Sequence, residues 1–582
     1  METGDTGASG EKKGIFQPER VRTCAAWILL SLPLVVYPLF WVRVFRYRLF
    51  AWDRVTLITL PVLAVFAAAV LVLTGFSRLR RKCAVSGLNL LLLLFAAALL
   101  VLSLARSLYT GRRLEPEEWF LPLMPLAGMA LSREVLRILP RWGTLVLAVL
   151  IAFTLRFPDY CIGLPGNWNW NLSLLAVLIP APFLLRDLKS KRFWIPVSAS
   201  AVFLIVFSAL KPALAPRGVI VGVIVASATL WLLWKLPRRQ RIFITVLGGA
   251  AGIAMFLSVW LGPADSAIRS SRFWLWRGSV ELALKNGVSG CGAGHFEREI
   301  PQWLPKEYYF SEFATDLHTH PHNELLAAWC SYGVLGLGFM LLLTLAVVSG
   351  LRNYSSVRVW GVWLFMVLFL HGQFDVVLQT PLAGTLWLVV GGALAGMHPE
   401  RKDETLHLKC GLAVTAAAAV LALVMFRASW LYREALLDLW RGDSFIAMKK
   451  LEKSIDWWEI PDARYRLGRI ELFDLKSPDA AIRHFRKLAP GYLHSNLYLG
   501  KAYADKKDFK AAMNSLDVES KSFPMSALNA YMKLAVMQEV GEDEAALAYY
   551  RSRLNYLLKL RSISEEQLLA DHSLDDRPLR NP

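Results

Sequence analysis

The sequence predicts an all-α protein, a polytopic bundle of membrane helices followed by a C-terminal α-solenoid of helical repeats. Three observations predict it. Of 582 residues, 55% are hydrophobic and 19% charged, with a mean hydropathy of +0.40; an ordinary soluble domain carries about 25% charge. The apolar residues lie in blocks between 23 and 426, many near the length of about 20 residues that a spanning helix needs. After 427 the composition turns polar, and small residues recur at a fixed spacing. The composition weighs against secreted, disordered and nucleic-acid-binding classes.

The polar segment 1–22 ends in Arg20 and Arg22, ahead of the first apolar block. No small-residue cleavage site follows, so an uncleaved first helix is expected. The candidate spans are 23–42, 55–76, 88–105, 119–131, 142–155, 172–185, 193–210, 218–234, 242–261, 325–349, 357–374, 381–397 and 410–426. Because three of these are short, the expectation is 12–13 spans.

The net charge of +19, from 65 basic and 46 acidic residues, falls almost wholly among these blocks. Lys and Arg resist translocation and collect in cytoplasmic loops. With the N-terminus inside, inward connections carry Arg78–Lys82, Arg133/Arg137/Arg141, Lys189–Arg192, Lys235–Arg241, Arg352/Arg358 and Arg401/Lys402/Lys409. The first outward loop, with Arg43, Arg46, Arg48 and Arg54, breaks the rule. The rest places the polar loop 262–324 outside, and the C-terminal domain with it. None of the six cysteines forms a CxxC pair, so neither a zinc nor a redox motif is indicated. Cys161 and Cys291 are a weakly supported disulfide candidate on the outer face.

The C-terminal domain, 427–560, precedes a polar tail, 561–582. Ala447, Ala481, Ala512 and Ala546 recur at intervals near 34, Leu467-Gly468 is echoed by Leu499-Gly500, and Pro461, Pro490 and Pro524 close successive units. Helix pairs at this period resemble tetratricopeptide repeats. Each pair buries its apolar face only by stacking, and such a surface typically binds a protein partner.

The chemistry concentrates in the outer loops. Asp316-Leu317-His318-Thr319-His320-Pro321-His322-Asn323-Glu324 brings three histidines to alternate positions before an apolar helix. Three readings compete: a chelating face, since alternate positions share one side of an extended strand; a helix cap at the polar interface; and a catalytic histidine. Arg217 and Arg272 fall at the outer face, where a guanidinium fork suits phosphate oxygens; snorkelling at the interface is the plain alternative, and Arg269 and Arg277 are lesser neighbours. Glu297, Glu299, Glu312 and Asp316 are alternative bases, more simply read as solvated charge. Asp375 marks the outer end of a late helix, either lining the site or making a structural hydrogen bond, and Trp168 and Trp170 either stack on sugar or mark the aromatic belt, the belt being the favoured reading.

His322-Asn323, nine residues, Gly333, two more, and Gly336 resemble the signature of the O-antigen ligase and O-antigen polymerase superfamily. Arg272 to Trp276 resembles the Arg-x3-Trp that opens the large external loop of that family. Gly290-Cys291-Gly292-Ala293-Gly294-His295-Phe296 resembles its glycine turn, and Gly166-Asn167-Trp168-Asn169 its Gly-Asn-x-Asn stretch. Pro216-Arg217-Gly218 sits where the family has Ser-Arg-Gly, with Val221 in place of the family's leucine. The likeness covers roughly 160–395.

The resemblance implies a GT-C-like fold and a metal-independent, cofactor-free glycosyltransferase in the bacterial inner membrane. Its site and repeats would face the periplasm. The donor would be an undecaprenyl-diphosphate-linked glycan and the acceptor lipid A–core, with no part for nucleic acid. His322 would be the general base, and Arg217 and Arg272 would bind the diphosphate. Asn323, Glu324, His320, Asp375, Trp276 and Asn167 would line the site. His318 and His320 lie outside the signature and are expected to matter less than His322. Polymerase or protein oligosaccharyltransferase activity is the nearest alternative; a transporter or flippase, or an anchored scaffold, are the others.

Overall fold

The structure is a computed structural model. It describes residues 18–44, 63, 66–72, 87–110, 119–156, 168–185, 194–211, 217–235, 237, 240, 271–310, 318, 320–349, 355–377, 380–396, 408–488, 492–541 and 543–570. The described residues are helical and contain no strand. The predicted span 242–261 and Asn167 lie outside them.

The apolar part contains α1 (Pro18–Val44), α2 (Gly87–Thr110), α3 (Phe120–Ala130), α4 (Ser132–Arg156), α5 (Trp168–Leu178), α6 (Trp194–Leu210) and α7 (Arg217–Lys235). After α8 (Ser271–Asn286) come α9 (Glu324–Ser349), α10 (Ser356–His371) and α11 (Pro381–Ala395). Among the described residues, three helices are long and apolar enough to cross a membrane: α2, α4 and α9. Large apolar side chains project outward from them, including Leu90, Leu94, Val101 and Leu104 on α2 and Leu145 and Ile151 on α4. Contiguous exposed apolar surface of this kind needs a covering phase, and a bilayer supplies one.

The core of the bundle lies between α10 and α11, where Trp360, Trp363 and Trp387 are fully buried. A buried indole needs an acceptor for its N–H. Trp360 donates to the Val177 carbonyl at 2.9 Å, tying α10 to α5, and Trp363 donates to the Ser227 hydroxyl at 3.0 Å, tying α10 to α7.

One expectation is corrected. Arg133, Arg137 and Arg141 do not form a connecting loop, because α4 starts at Ser132 and carries all three in its first turns. Two ion pairs tie this helix start to α1: Arg22 lies 3.2 Å from the buried Glu134, and Arg137 lies 2.5 Å from Glu19.

The chain leaves the apolar part without a break. Helix α12 (Leu408–Arg441) runs straight through the expected boundary at 426. It is followed by α13 (Ser444–Trp457), α14 (Pro461–Phe473), α15 (Pro478–Phe485), α16 (Ser495–Asp505), α17 (Phe509–Ser522), α18 (Ala527–Val540), α19 (Glu544–Arg561) and α20 (Glu565–Ala570). Each of α12 to α18 packs on the next. Ala447, Ala481 and Ala512 are fully buried where helices touch, whereas Ala546 is only half-buried. Gly468 and Gly500 admit the Phe485 ring and the Leu516 side chain; an added Cβ would lie 2.8 and 2.7 Å from them. Pro461 opens α14 at a first-turn position rather than closing a unit, where its missing N–H costs nothing. Pro524 does lie in a turn between helices. The packed part extends past 560, since Leu568 of α20 is fully buried.

The segment 271–310 and the repeats share one hydrophobic cluster. Trp274, Leu275, Phe296, Ile300 and Tyr308 join Phe485, Tyr492, Leu497 and Leu516, and the Arg298 guanidinium sits 5.5 Å over the Tyr492 ring. The loop and the repeats therefore lie on the same side of the bundle.

Candidate functional site

The amino ends of α5, α7, α8 and α9 meet the carboxyl end of α10. Helix α9 begins where Asn323 caps it: the Asn323 side-chain oxygen accepts from the Leu326 N–H at 2.9 Å, the usual asparagine cap. The same amide donates to the Gln373 carbonyl at 3.1 Å, and the Glu324 N–H donates to the Gly372 carbonyl at 2.8 Å. The start of α9 is thus fastened to the turn after α10. His322, one residue earlier, has φ 55°, a left-handed conformation uncommon for a residue with a Cβ.

Asp375 follows that turn and is buried. His322 Nδ1 lies 3.6 Å from its Oδ1, longer than a hydrogen bond, and His371 Nε2 lies 3.8 Å from its Oδ2. The Trp170 indole and the Asn169 amide each donate to the carboxylate at 3.3 Å, and the Val376 N–H donates at 2.8 Å. Burial pushes the Asp375 carboxyl up, but the facing His322 and His371 imidazoles and the Val376 N–H outweigh it. The group is held well below the ordinary carboxylate range and stays ionised. His322 is one-third exposed while its Nδ1 is buried and has no hydrogen-bond partner among the described residues. Solvent therefore reaches the ring on the side away from Nδ1.

The arginines come from two further helix starts. Arg272 donates to the Phe374 carbonyl at 2.6 Å, and its guanidinium is otherwise exposed. Arg217 is exposed at the first residue of α7. Its neighbour Gly218 leans on the same turn, with an added Cβ 3.3 Å from His371 Cδ2 and 3.7 Å from Phe374 Cβ. Trp276 donates to the Pro321 carbonyl at 2.8 Å, fixing α8 to the residue before His322. Arg277 instead lies 3.8 Å from Glu281 on its own helix, and Arg269 lies outside the described residues.

The three loop histidines diverge. His318 Nε2 meets the Tyr308 hydroxyl; burial first, and then the neighbouring His322, push its imidazole down to about 3. His320 Nε2 lies 3.3 Å from Glu324 Oε2, and His322 faces Asp375. Among the described residues no three His, Cys, Asp or Glu side chains form a group that could hold a metal ion. Of the alternative bases, Glu299 accepts from Gln302 at 3.0 Å, and Glu312 and Asp316 lie outside the described residues. Cys161, one half of the disulfide candidate, lies outside the described residues.

The motif glycines have a backbone role. Gly333 kinks α9 with φ 67° and ψ −160°, and a Cβ there would lie 2.1 Å from the Val288 carbonyl oxygen. Gly290, with φ +67°, passes close to Ser331 and Tyr332, where an added Cβ would lie 2.5 Å from their backbone. Backbone bonds join the two segments, from Cys291 N–H to the Cys330 carbonyl at 2.7 Å and from Val334 N–H to the Gly287 carbonyl at 3.2 Å. The spacing between His322 and Gly333 therefore sets where the external loop is clipped to the helix that His322 precedes.

Sequence reading missed the contact set of Asp375. Along the sequence Trp170 resembles an aromatic-belt residue, yet its indole donates to that carboxylate; Asn169 reaches it as well. His371 is the second imidazole on Asp375. The only signal was the Asn-x-Asn stretch and the i, i+4 spacing of His371 and Asp375.

The chain matches no protein-family model and no curated protein sequence. The fold and site define a helical protein with membrane-length helices. At one end of its bundle it gathers a histidine–carboxylate pair and two exposed arginines.

Proposed function

We propose that the chain is a GT-C-like inner-membrane glycosyltransferase of the O-antigen ligase and polymerase type, with a periplasmic site and tetratricopeptide-like repeats. It takes a glycan from undecaprenyl diphosphate and transfers it to an acceptor hydroxyl. The observation that carries this reading is the meeting of His322, Asp375 and Arg272 on one turn, beside the Arg217 end of α7. Four helix amino ends converge there, and each carries partial positive charge suited to an anion.

In the proposed step the acceptor oxygen forms a bond to the anomeric carbon, and the bond from that carbon to the diphosphate oxygen breaks. His322 takes the acceptor proton, ionised Asp375 stabilises the imidazolium that results, and the diphosphate leaves as an anion held by Arg272 and Arg217. The basic residues at the opposite end of the bundle, Arg133, Arg137 and Lys235, agree with a site on the outer face. Lipid A–core is the proposed acceptor, with polymerase and protein oligosaccharyltransferase activity the variants of the same chemistry.

Deleting the gene and resolving surface glycan on gels tests it. Polysaccharide that accumulates unattached to lipid A–core supports ligase; single-repeat product or altered glycoprotein redirects the acceptor. Unchanged glycans of every kind overturn the reading.

A further inference from the structure

Beyond the residues that face Asp375, the loop holds a second, buried pair. Glu324 is fully buried and His320 nearly so. Glu324 Oε1 accepts from the Val377 N–H at 2.5 Å, and its Oε2 lies 3.3 Å from His320 Nε2. His320 Nδ1 accepts from the His322 N–H at 2.8 Å. That last bond determines the tautomer. A nitrogen accepting from a backbone N–H carries no proton, so in neutral His320 the proton is on Nε2, where it donates to Glu324. The carboxylate thus sets which nitrogen of His320 is basic, and the basic nitrogen holds the backbone of His322.

We propose that Glu324 and His320 are positioning residues that hold His322 in its left-handed conformation and so aim its imidazole at the reacting hydroxyl. The inference rests on the reading of His322 as general base. A left-handed residue with a Cβ is strained and persists only where its surroundings over-determine it. Here Asn323 fixes the chain on one side of His322, Trp276 holds the Pro321 carbonyl on the other, and the His320 bond fixes the N–H between them. Glu324 is also the first residue of α9, so the device couples the helix start to the turn bearing Asp375 through the Val377 N–H.

The chemistry distinguishes this role from simple packing. Glu324→Gln is nearly isosteric, but an amide cannot accept at both ends. If its oxygen keeps Val377, its NH2 faces His320 Nε2, and His320 must move its proton to Nδ1, against the His322 N–H. If the amide flips, its NH2 faces the Val377 N–H. Either arrangement leaves two donors opposed in a buried place. His320→Asn, by contrast, puts an amide oxygen near the position of Nδ1 and restores the acceptor for His322, whereas His320→Ala does not. Both substitutions remove the contact to Glu324, so their difference isolates the acceptor.

The test measures kcat and donor KM with purified full-length protein in lipid nanodiscs. The donor probe is a synthetic undecaprenyl-diphosphate-linked oligosaccharide and the acceptor a purified lipid A–core, with release of undecaprenyl diphosphate as the readout. Glu324→Gln and His320→Ala are expected to lower kcat roughly ten- to hundredfold with donor KM unchanged, and His320→Asn to recover most of it. Equal kcat for the Ala and Asn variants overturns the inference, as does wild-type kcat in Glu324→Gln. If Glu324→Gln fails to fold, the Ala-against-Asn comparison decides alone. His322→Ala in the same assay separates the two levels. An inactive His322→Ala beside fully active His320 and Glu324 variants removes only the positioning role. An active His322→Ala removes the general-base reading on which it rests.

Discussion

Asp375→Asn removes one charge and almost no volume. The amide oxygen can still accept from Val376 N–H and the Trp170 indole, which lie 2.8 and 3.3 Å from Oδ1, and Asn169 can turn its amide to meet the new NH2 group. The fold should therefore survive, and the loss should fall on the imidazolium that forms as His322 takes a proton. Opposite unit charges 3.6 Å apart attract by about 4–5 kcal/mol at an effective dielectric of about 20. One-third of the His322 side chain is exposed, and solvent screening brings the figure to roughly 2–3 kcal/mol. That corresponds to roughly 30- to 150-fold in rate. The assay is release of undecaprenyl diphosphate at saturating donor, with donor binding measured separately by titration. The account expects kcat to fall by that order with donor affinity unchanged. A folded Asp375→Asn protein with wild-type kcat, or one that loses only donor affinity, would show that Asp375 does not stabilise the imidazolium.

Gly333→Ala should destabilise the protein by about 3 kcal/mol or more, because it combines a left-handed φ with a backbone clash; melting of the detergent-solubilised protein checks it. His318 supplies a pH signature. Its folded value of about 3 lies below the ordinary 6.5, so as pH falls below 6.5 the unfolded chain takes up a proton that the folded one refuses. Its stabilising contribution is complete above 6.5 and is lost as pH falls toward 3, at up to about 1.4 kcal/mol per pH unit. His318→Gln should flatten the fall in melting temperature between those limits, and an unchanged slope would contradict the assignment. Reporters inserted within 311–317 and fused after Pro582 should report the same side of the membrane, since segment 271–310 and the repeats share a core; opposite sides would contradict that packing.

The parts of the fold that follow a local rule were legible in the sequence. Among the described residues the apolar blocks are helical, and Ala447, Ala481 and Ala512 are buried where C-terminal helices touch, because small residues are needed at such contacts. His322-Asn323 was legible as a helix start because a cap has a one-residue signature, and Gly333 because its spacing is fixed by the loop clipped against it. What failed had no local signature. A basic helix start and a basic inward loop carry the same charges, so the sequence alone does not show that Arg133, Arg137 and Arg141 lie within a helix, tied to the first helix by the Arg137–Glu19 and Arg22–Glu134 pairs. Trp170 looks like any interfacial indole along the chain, and its bond to Asp375 spans 205 positions. His320 lay outside the spaced motif, and only its burial with Glu324 shows what it holds. Trp276 and Asn323, read from the sequence as lining the site, use their side chains to hold the Pro321 and Gln373 carbonyls.

The most direct measurement is the transfer rate of His322→Ala, purified and reconstituted with a lipid-linked glycan donor and its acceptor. General base assistance is typically worth about 10²- to 10⁴-fold. The account predicts a loss of that order with normal protein level, normal melting and retained donor binding. Transfer by His322→Ala at near wild-type rate would contradict it, because no other described residue joins an exposed imidazole to the ionised Asp375 beside Arg272.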